Sequence, residues 1–118
     1  MSRKPIQTRV VNLEEDHPTV NVGLLGLERS LSDARRDGVA VLKLIHGYGS
    51  KGVGGKLKHE AAKALMVYKQ NGKIRDFVSG EDFRVSNEVT WELLKRAPEI
   101  KQDRDLGMNN RGITVVLL

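Results

Sequence analysis

Two short segments of this chain carry the residues best suited to chemistry. Glu14 and Asp16 stand two residues apart, so on a strand their carboxylates face the same side and are candidate ligands for Mg²⁺ or Mn²⁺. A metal held there would activate water for hydrolysis. His46 is the candidate catalytic acid or base, because imidazole titrates near neutral pH. The structural alternatives are an acidic turn before Pro18 and a histidine that orders its loop by bonding to the backbone.

The segment 46–55 contains five glycines in ten residues and is predicted to form a loop with positive-φ positions. A glycine-rich loop between a strand and a helix can bind phosphate, because its N–H groups point outward and the helix dipole favours an anion. A flexible connection is the alternative. Tyr48 lies between Gly47 and Gly49, where it is expected to be exposed and to stack on an unpaired base, unless it packs over the loop.

Positive charge is concentrated around this loop. Residues 43–75 hold eight Lys and Arg residues against one acidic residue, a formal charge of +7, whereas the rest of the chain holds twelve basic and fourteen acidic residues. Such a field attracts polyanions, above all nucleic-acid phosphates, although a solvated helix face has the same composition. The lysines predicted to contact phosphates are Lys51, Lys56, Lys58 and Lys63.

The apolar periodicity predicts the elements that must position these side chains. Strand patterns fall at residues 6–13, 39–45, 73–78 and 113–118, and helix patterns run from Thr19 to Gly38, over 55–70 and over 87–96. Right-handed crossovers place the two main helices on one face of the sheet. The predicted fold class is therefore α/β, a two-layer sandwich of a four-stranded mixed sheet and two main helices, with an extra short helix before the last strand.

Several short motifs in the sequence resemble those of the small MutS-related (Smr) domain family. That family has a strand ending in His-Gly-x-Gly, a short loop and a Leu-Arg/Lys pair that opens the second helix. Here the run 44–49 reads Leu-Ile-His-Gly-Tyr-Gly, and Leu57-Lys58 follows. The run 110–116, Asn-Arg-Gly-Ile-Thr-Val-Val, is similar to the family's closing strand, and residues 32–38 are similar to the end of its first helix. The resemblance covers residues 6–80 and 110–118.

The resemblance implies a βαβαβ-type domain that binds DNA or RNA and that in some members cuts it as an endonuclease. His46, Gly47, Tyr48 and Gly49 fall on the family's loop motif, and Lys58 falls on the basic position of its second helix. On this interpretation the chain is one domain, 1–118, in which residues 81–109 form an insertion.

The first strand departs from the family pattern. Many active members carry Leu-Asp-x-His there, whereas this chain reads Leu13-Glu14-Glu15-Asp16, with His17 one residue late. A one-residue shift along a strand reverses the face on which a side chain lies. The carboxylate is therefore kept in kind while the imidazole is lost or displaced, which favours binding over cleavage.

Three functions remain open at this point. The first is an Smr-like nucleic-acid-binding domain that is also a divergent, metal-dependent DNA or RNA endonuclease. The second is a non-catalytic module that binds RNA, DNA or ribosomes. The third is a protein-interaction domain that uses 81–109, which would need an exposed apolar patch around Val89, Trp91 and Leu94. The apolar pattern of 87–96 instead predicts Trp91 to be half buried and to belong to the core.

Composition limits the class of protein. The chain is 39% hydrophobic and 30% charged, as in folded domains, and no apolar run approaches the roughly 20 residues of a membrane span. It contains no cysteine, which excludes disulfides, thiol chemistry and zinc sites built on Cys. These features predict a cytoplasmic protein whose partner is nucleic acid rather than a membrane, and they predict nothing about oligomeric state.

Overall fold

The computed structural model describes residues 8–15, 19–48 and 54–118. Every strand and helix predicted above is present, and the ends within the described residues shift by a few positions; residues 6 and 7 of the first predicted strand lie outside the described residues. Two 3₁₀ turns, Gly80–Asp82 and Pro98–Gln102, flank the third helix. The elements in chain order are β1 (Thr8–Asn12), α1 (Val20–Arg36), β2 (Val41–Ile45), α2 (Gly54–Gln70), β3 (Asp76–Ser79), α3 (Glu88–Arg96) and β4 (Ile113–Leu117).

The four strands form one mixed sheet in the order β1-β2-β4-β3. β1 and β2 are parallel, with Val10 opposite Lys43, and β4 lies antiparallel between β2 and β3. β1, β2 and β3 therefore all end at the same edge of the sheet, and β4 begins there. Ligand sites of open α/β sheets gather at such edges.

Both main helices cover one face of the sheet, as predicted. Leu27 and Leu31 of α1 and Leu57 and Leu65 of α2 are at most 5% exposed and belong to one core with Leu42 and Leu44 of β2. The two crossovers, β1 to β2 and β2 to β3, advance across the sheet in the same direction. Crossovers of one hand that advance in one direction put their helices on one face.

The opposite face is covered by residues 80–106, which contain α3. Phe83, Leu93 and Ile100 are buried there against Val41 and Val115 of the sheet. The sequence predicted the short helix but not where it packs. In the structure α3 packs on this face of the sheet, so both faces are covered. Trp91, predicted to be a half-buried residue of the core, is 57% exposed and absent from the core, because it lies on the side of α3 away from Leu93.

The ends of α1 follow from its sequence. The Thr19 hydroxyl accepts the N–H of Val22 at 3.2 Å and caps the first turn. Gly38, with φ +73°, follows the last turn, and a Cβ there would meet nothing within 4 Å. Among the helices of the described residues, none is long and apolar enough to cross a membrane.

Candidate functional site

Segments that are distant in sequence meet at the edge of the sheet where β1, β2 and β3 end and β4 begins. We call this the carboxyl edge. Because β4 runs against the other three strands, the residues just before it lie beside the residues that follow them. The residues gathered there are Glu14, His46, Gly47, Tyr48, Glu81, Arg111 and Gly112, and Lys58 reaches them from the second turn of α2.

His46 is fully buried at the carboxyl edge, and both of its ring nitrogens are bonded. Nδ1 lies 2.7 Å from the carbonyl oxygen of Gly47, which can only accept, so Nδ1 carries the proton and donates it. Nε2 of the neutral ring then accepts the hydroxyl proton of Thr114 at 2.8 Å. In this arrangement neither nitrogen faces an open space in which a substrate could reach it.

The pKa of His46 is held below its ordinary value. Burial of the ring is the main cause, and the nearby Lys58 ammonium adds to it, while the bond to Gly47 and the carboxylates of Glu14 and Glu81 act in the opposite direction. The ring is therefore neutral at physiological pH. A neutral, doubly bonded imidazole orders the loop that leaves β2, and its predicted catalytic role stays untested.

Gly47 has a conformation and an environment that suit glycine alone. Its φ is +71°, and a Cβ there would come within 2.6 Å of the carboxyl carbon of Glu14 and closer still to one carboxylate oxygen. The positive φ agrees with the loop predicted from the glycine content. The close approach brings Glu14, from the end of β1, to the first turn of the loop after β2.

Tyr48 is half exposed beside this glycine. The guanidinium of Arg111 lies 5.2 Å from the centre of its ring, a cation–π arrangement. Gly112 passes under the loop, and a Cβ on it would meet the Gly47 Cα at 3.4 Å and the Tyr48 ring at 3.6 Å. The aromatic ring and the guanidinium thus form one surface at the carboxyl edge.

Lys58 and Arg111 approach the same carboxylate. Lys58 Nζ donates to Glu81 Oε1 at 2.8 Å, and Arg111 Nε lies 3.7 Å from Glu81 Oε2. The hydrogen bond from Lys58 is the main cause that lowers the pKa of the Glu81 carboxyl, so the group is ionised at neutral pH. One anion therefore sits between two cations at the site where the sequence predicts a phosphate.

The other predicted phosphate contacts fall into two groups, those that the structure describes and those that it does not. Lys56 and Lys63 lie exposed on α2, seven residues or about 10 Å apart along the axis, and Lys63 makes a loose pair with Glu60 at 3.5 Å. Gly49 and Lys51 lie outside the described residues. Lys56 and Lys63 form a basic face that begins beside the carboxyl edge.

The fold reduces the positive field that the sequence suggests. Acidic residues from outside 43–75 pair with several of its lysines, including Lys58 with Glu81 and Lys69 with Asp76 at 3.1 Å. Lys43 is held between Asp103, at 2.9 Å, and Asp105. A formal charge counted along the chain therefore overstates the charge available to a polyanion.

The predicted metal site is only partly described. Asp16 lies outside the described residues, and Glu14 contacts the loop at Gly47. Within 8–15, 19–48 and 54–118, the acidic and histidine side chains form no group of three that could hold a metal ion. Mg²⁺ is octahedral, so a site built on Glu14 alone would leave most of the six positions to water or to phosphate oxygens.

A cleft of about 690 Å³ opens beside Tyr48 on the side of the sheet away from α1 and α2. Its apolar walls include Val10, which is 60% exposed, and Ile45. Its polar rim includes Arg104 and Asp105. The cleft is the size of ordinary small-ligand sites and is continuous with the carboxyl edge.

The sequence reasoning missed Glu81 and Arg111. Arg111 stands immediately before Gly112 in the closing-strand motif, so a basic residue at that point of the motif was the available signal. Nothing in the sequence marked Glu81 as a site residue, because it follows β3 in a 3₁₀ turn with no periodic pattern. Both reach the site only through the position of β4 between β2 and β3.

Comparison with known proteins relates this arrangement to a described fold. No protein-family model matches the chain, and no curated protein sequence matches it. Among solved structures, the chain is similar to the Smr domain of Thermus thermophilus MutS2, with 24% sequence identity and a TM-score of 0.55. The match covers 96% of this chain and 98% of the other. The four-stranded mixed sheet and its helices thus form an Smr-like fold, as the sequence motifs implied.

Proposed function

We propose that this Smr-like domain binds nucleic acid through the phosphate backbone. The observation that carries the proposal is the convergence of Lys58 and Arg111, from α2 and from the start of β4, at the edge where the glycine loop leaves β2. Lys56 and Lys63 extend that edge along α2. Charges in this arrangement neutralise successive phosphates and release their counterions.

The residue types favour recognition of the backbone over the reading of base sequence. Lysine is a point charge that positions a polyanion, and three of the four basic residues of the proposed interface are lysines: Lys56, Lys58 and Lys63, beside Arg111. Tyr48 adds a stacking surface beside Arg111, and the cleft next to it has room for a base. This composition suits recognition of shape, with an unpaired base as an added feature.

Binding without cleavage is the function that the geometry supports best. Phosphodiester hydrolysis needs a group that moves a proton, and both nitrogens of His46 are committed to Gly47 and Thr114. Glu14 of the first-strand motif lies against the loop, and the acidic and histidine side chains of the described residues form no group of three that could hold a metal ion. Metal-dependent cleavage is therefore the alternative outcome that the experiment below tests.

A protein-interaction role for residues 81–109 receives less support. Of the three apolar residues predicted to form its patch, Trp91 is exposed, whereas Val89 and Leu94 are partly buried against the core. A single exposed aromatic side chain is a common surface feature.

A salt-dependent titration tests the proposal. The wild-type domain is titrated into duplex DNA, a structured RNA and a single strand at several salt concentrations. We expect tight binding at low salt, with a slope of roughly 0.9 log unit per phosphate contact on duplex DNA. Lys56→Ala/Lys58→Ala is expected to weaken binding and reduce the slope by about one to two.

The matched control is Lys95→Ala/Lys101→Ala. It removes the same charge from two exposed lysines of the segment that covers the opposite face of the sheet. Equal losses in the two double variants would mean that net charge alone drives binding, and the site would be wrong. The same mixtures, run on gels with EDTA, Mg²⁺ or Mn²⁺, are expected to show no nicks. Robust nicking would replace the binding module by an endonuclease.

A further inference from the structure

We propose that Lys58 and Arg111 form a phosphate subsite and that the carboxylate of Glu81 occupies it in the free protein. This inference rests on the proposed function and adds an internal competitor, which nucleic acid must displace. The subsite takes one phosphodiester group of a polyanion.

The contacts around Glu81 resemble those of a bound anion. One oxygen accepts from Lys58 Nζ at 2.8 Å, and the other lies 3.7 Å from Arg111 Nε. The two cations come from elements far apart in sequence, and both meet this single carboxylate. A phosphodiester has the same charge and likewise offers two oxygens to two cations.

The backbone beneath Glu81 is fixed while its side chain is free to move. Gly80 is buried so closely against Asn110 that a Cβ on it would come within 2.8 Å of the Asn110 carbonyl carbon and closer to its oxygen. This contact fixes the 3₁₀ turn beside the residues that lead into β4. The Glu81 side chain remains 37% exposed, so rotation about its own bonds can release the cations without movement of the turn.

Arg111 has a further contact besides the carboxylate, because its guanidinium lies 5.2 Å from the centre of the Tyr48 ring, while its side chain is 59% exposed. The Lys58 side chain is 22% exposed with Glu81 in place. Glu81 is ionised because the Lys58 bond, as the main cause, lowers its pKa, so it competes at neutral pH. Both cations therefore remain available to one phosphate when the carboxylate rotates away.

An internal competitor selects for polyanions. A tethered carboxylate acts at a high effective concentration, so a lone phosphate or carboxylate in solution displaces it poorly. A nucleic acid that also contacts Lys56 and Lys63 gains affinity elsewhere and can displace it. The expected result is weak affinity for monovalent anions alongside tight, salt-dependent affinity for nucleic acid.

Substitution of the competitor provides the test. Glu81→Gln keeps the size of the side chain and removes its charge, so we expect affinity for the best-bound nucleic acid to rise about three- to tenfold at low salt. The matched control is Glu28→Gln, which makes the same charge change on α1, beside Tyr68 and about 15 Å along α2 from Lys58. That variant is expected to change affinity by less than about twofold.

Coupling separates masking of Lys58 from a general effect of charge. The gain is the logarithm of the ratio of affinities with and without Glu81→Gln. In a Lys58→Ala background we expect this gain to be less than half of its value in the wild-type background, because Lys58 is no longer there to be released. Circular dichroism establishes that each variant is folded, and Glu81→Ala serves as a second variant without the side chain.

Each outcome decides the inference. A gain in Glu81→Gln that exceeds the Glu28→Gln control and shrinks without Lys58 supports it. Wild-type binding with no gain in either Glu81 variant, or with the full gain retained without Lys58, overturns the inference and leaves the proposed function standing. Failure of the wild type and of both Glu81 variants to bind any nucleic acid at low salt overturns both.

Discussion

His46 Nε2 lies 2.8 Å from Thr114 Oγ1, and this buried hydrogen bond joins the end of β2 to the central strand β4. The other ring nitrogen is bonded to the carbonyl oxygen of Gly47, so one imidazole holds both the sheet and the loop. The site is therefore built on a neutral histidine, and its stability depends on the protonation of that ring.

The first prediction concerns pH. The pKa of His46 is lower in the folded chain than its ordinary value of about 6.5, so the unfolded chain binds the proton more readily. The contribution to stability is complete above the ordinary pKa and is lost as pH falls toward the folded value. We expect the free energy of unfolding to decrease from about pH 7.5 to about pH 5, by at most about 1.4 kcal/mol per pH unit.

Denaturant titrations at several pH values measure this dependence. The lower limit avoids the carboxyls of Glu81 and Asp105, whose pKa values are lowered and which lose their contribution in more acid solution. His46→Gln is expected to flatten the dependence of the unfolding free energy on pH. His59→Gln removes an exposed imidazole and is expected to keep that dependence. A flat wild-type profile between these limits would contradict the assignment.

The second prediction compares two glycines with nearly equal backbone angles. Gly38→Ala forces a Cβ onto a φ of +73° in open space and is expected to cost about 1 kcal/mol of stability. Gly47→Ala adds the displacement of Glu14, so we expect it to cost at least about 1 kcal/mol more and to weaken nucleic-acid binding. Thermal unfolding and the binding titration measure the two effects.

A further variant isolates the Glu14 contact. Glu14→Ala in the Gly47→Ala background removes the obstructing carboxylate and is expected to bring the cost back toward that of Gly38→Ala. If Gly47→Ala and Gly38→Ala cost the same, the Glu14 contact has no energetic weight.

The third prediction concerns the ion cluster on the opposite face of the sheet. Burial of Lys43 disfavours its charged form, but Asp105 and Asp103 outweigh burial, so the pKa of Lys43 is raised. Lys43→Met leaves the two carboxylates facing each other without a cation, and we expect a loss of about 2–4 kcal/mol in denaturant titration.

Two comparison variants test that explanation. Lys95→Met breaks an exposed pair with Glu92 at 3.4 Å and is expected to cost less than about 0.5 kcal/mol. Asp105→Asn added to Lys43→Met is expected to recover part of the loss, because it removes one of the two like charges. An equally large loss from Lys95→Met would show that the interior position of Lys43 does not matter.

The fourth prediction concerns α3. Leu93→Ala is expected to cost about 2–5 kcal/mol, because Leu93 is fully buried between α3 and the sheet. Trp91→Ala, two residues away, is expected to cost less than about 1 kcal/mol, because the ring is 57% exposed. Thermal unfolding measures both, and a large loss from Trp91→Ala would place that ring in the core, as its apolar pattern first suggested.

The order of elements and the position of the loop could be predicted because they depend on local patterns. Leu42 and Leu44 mark a buried strand, His46 directly follows it, and the glycines end it. Trp91 was misjudged because nine residues of helix allow more than one choice of buried face.

The rest of the site depends on contacts between distant segments. Lys58, Glu81 and Arg111 come together because β4 lies between β2 and β3, and no periodicity in the sequence encodes that strand order. The pairing of Lys43 with Asp103 and Asp105 has the same origin, so the charge of residues 43–75 could be counted but not its neutralisation.

The place of β4 in the sheet also governs how the domain is assembled. β2 and β3 share no ladder with each other, and each is bonded to β4, the last strand in chain order, with Val41 opposite Leu117. While the chain is being synthesised, residues 8–79 can pair only β1 with β2, and β3 must wait. Sheet closure therefore follows the emergence of β4 and requires contacts of long sequence separation, which slow folding. Until then β3 and the open side of β2 are unpaired edges that other chains can bind.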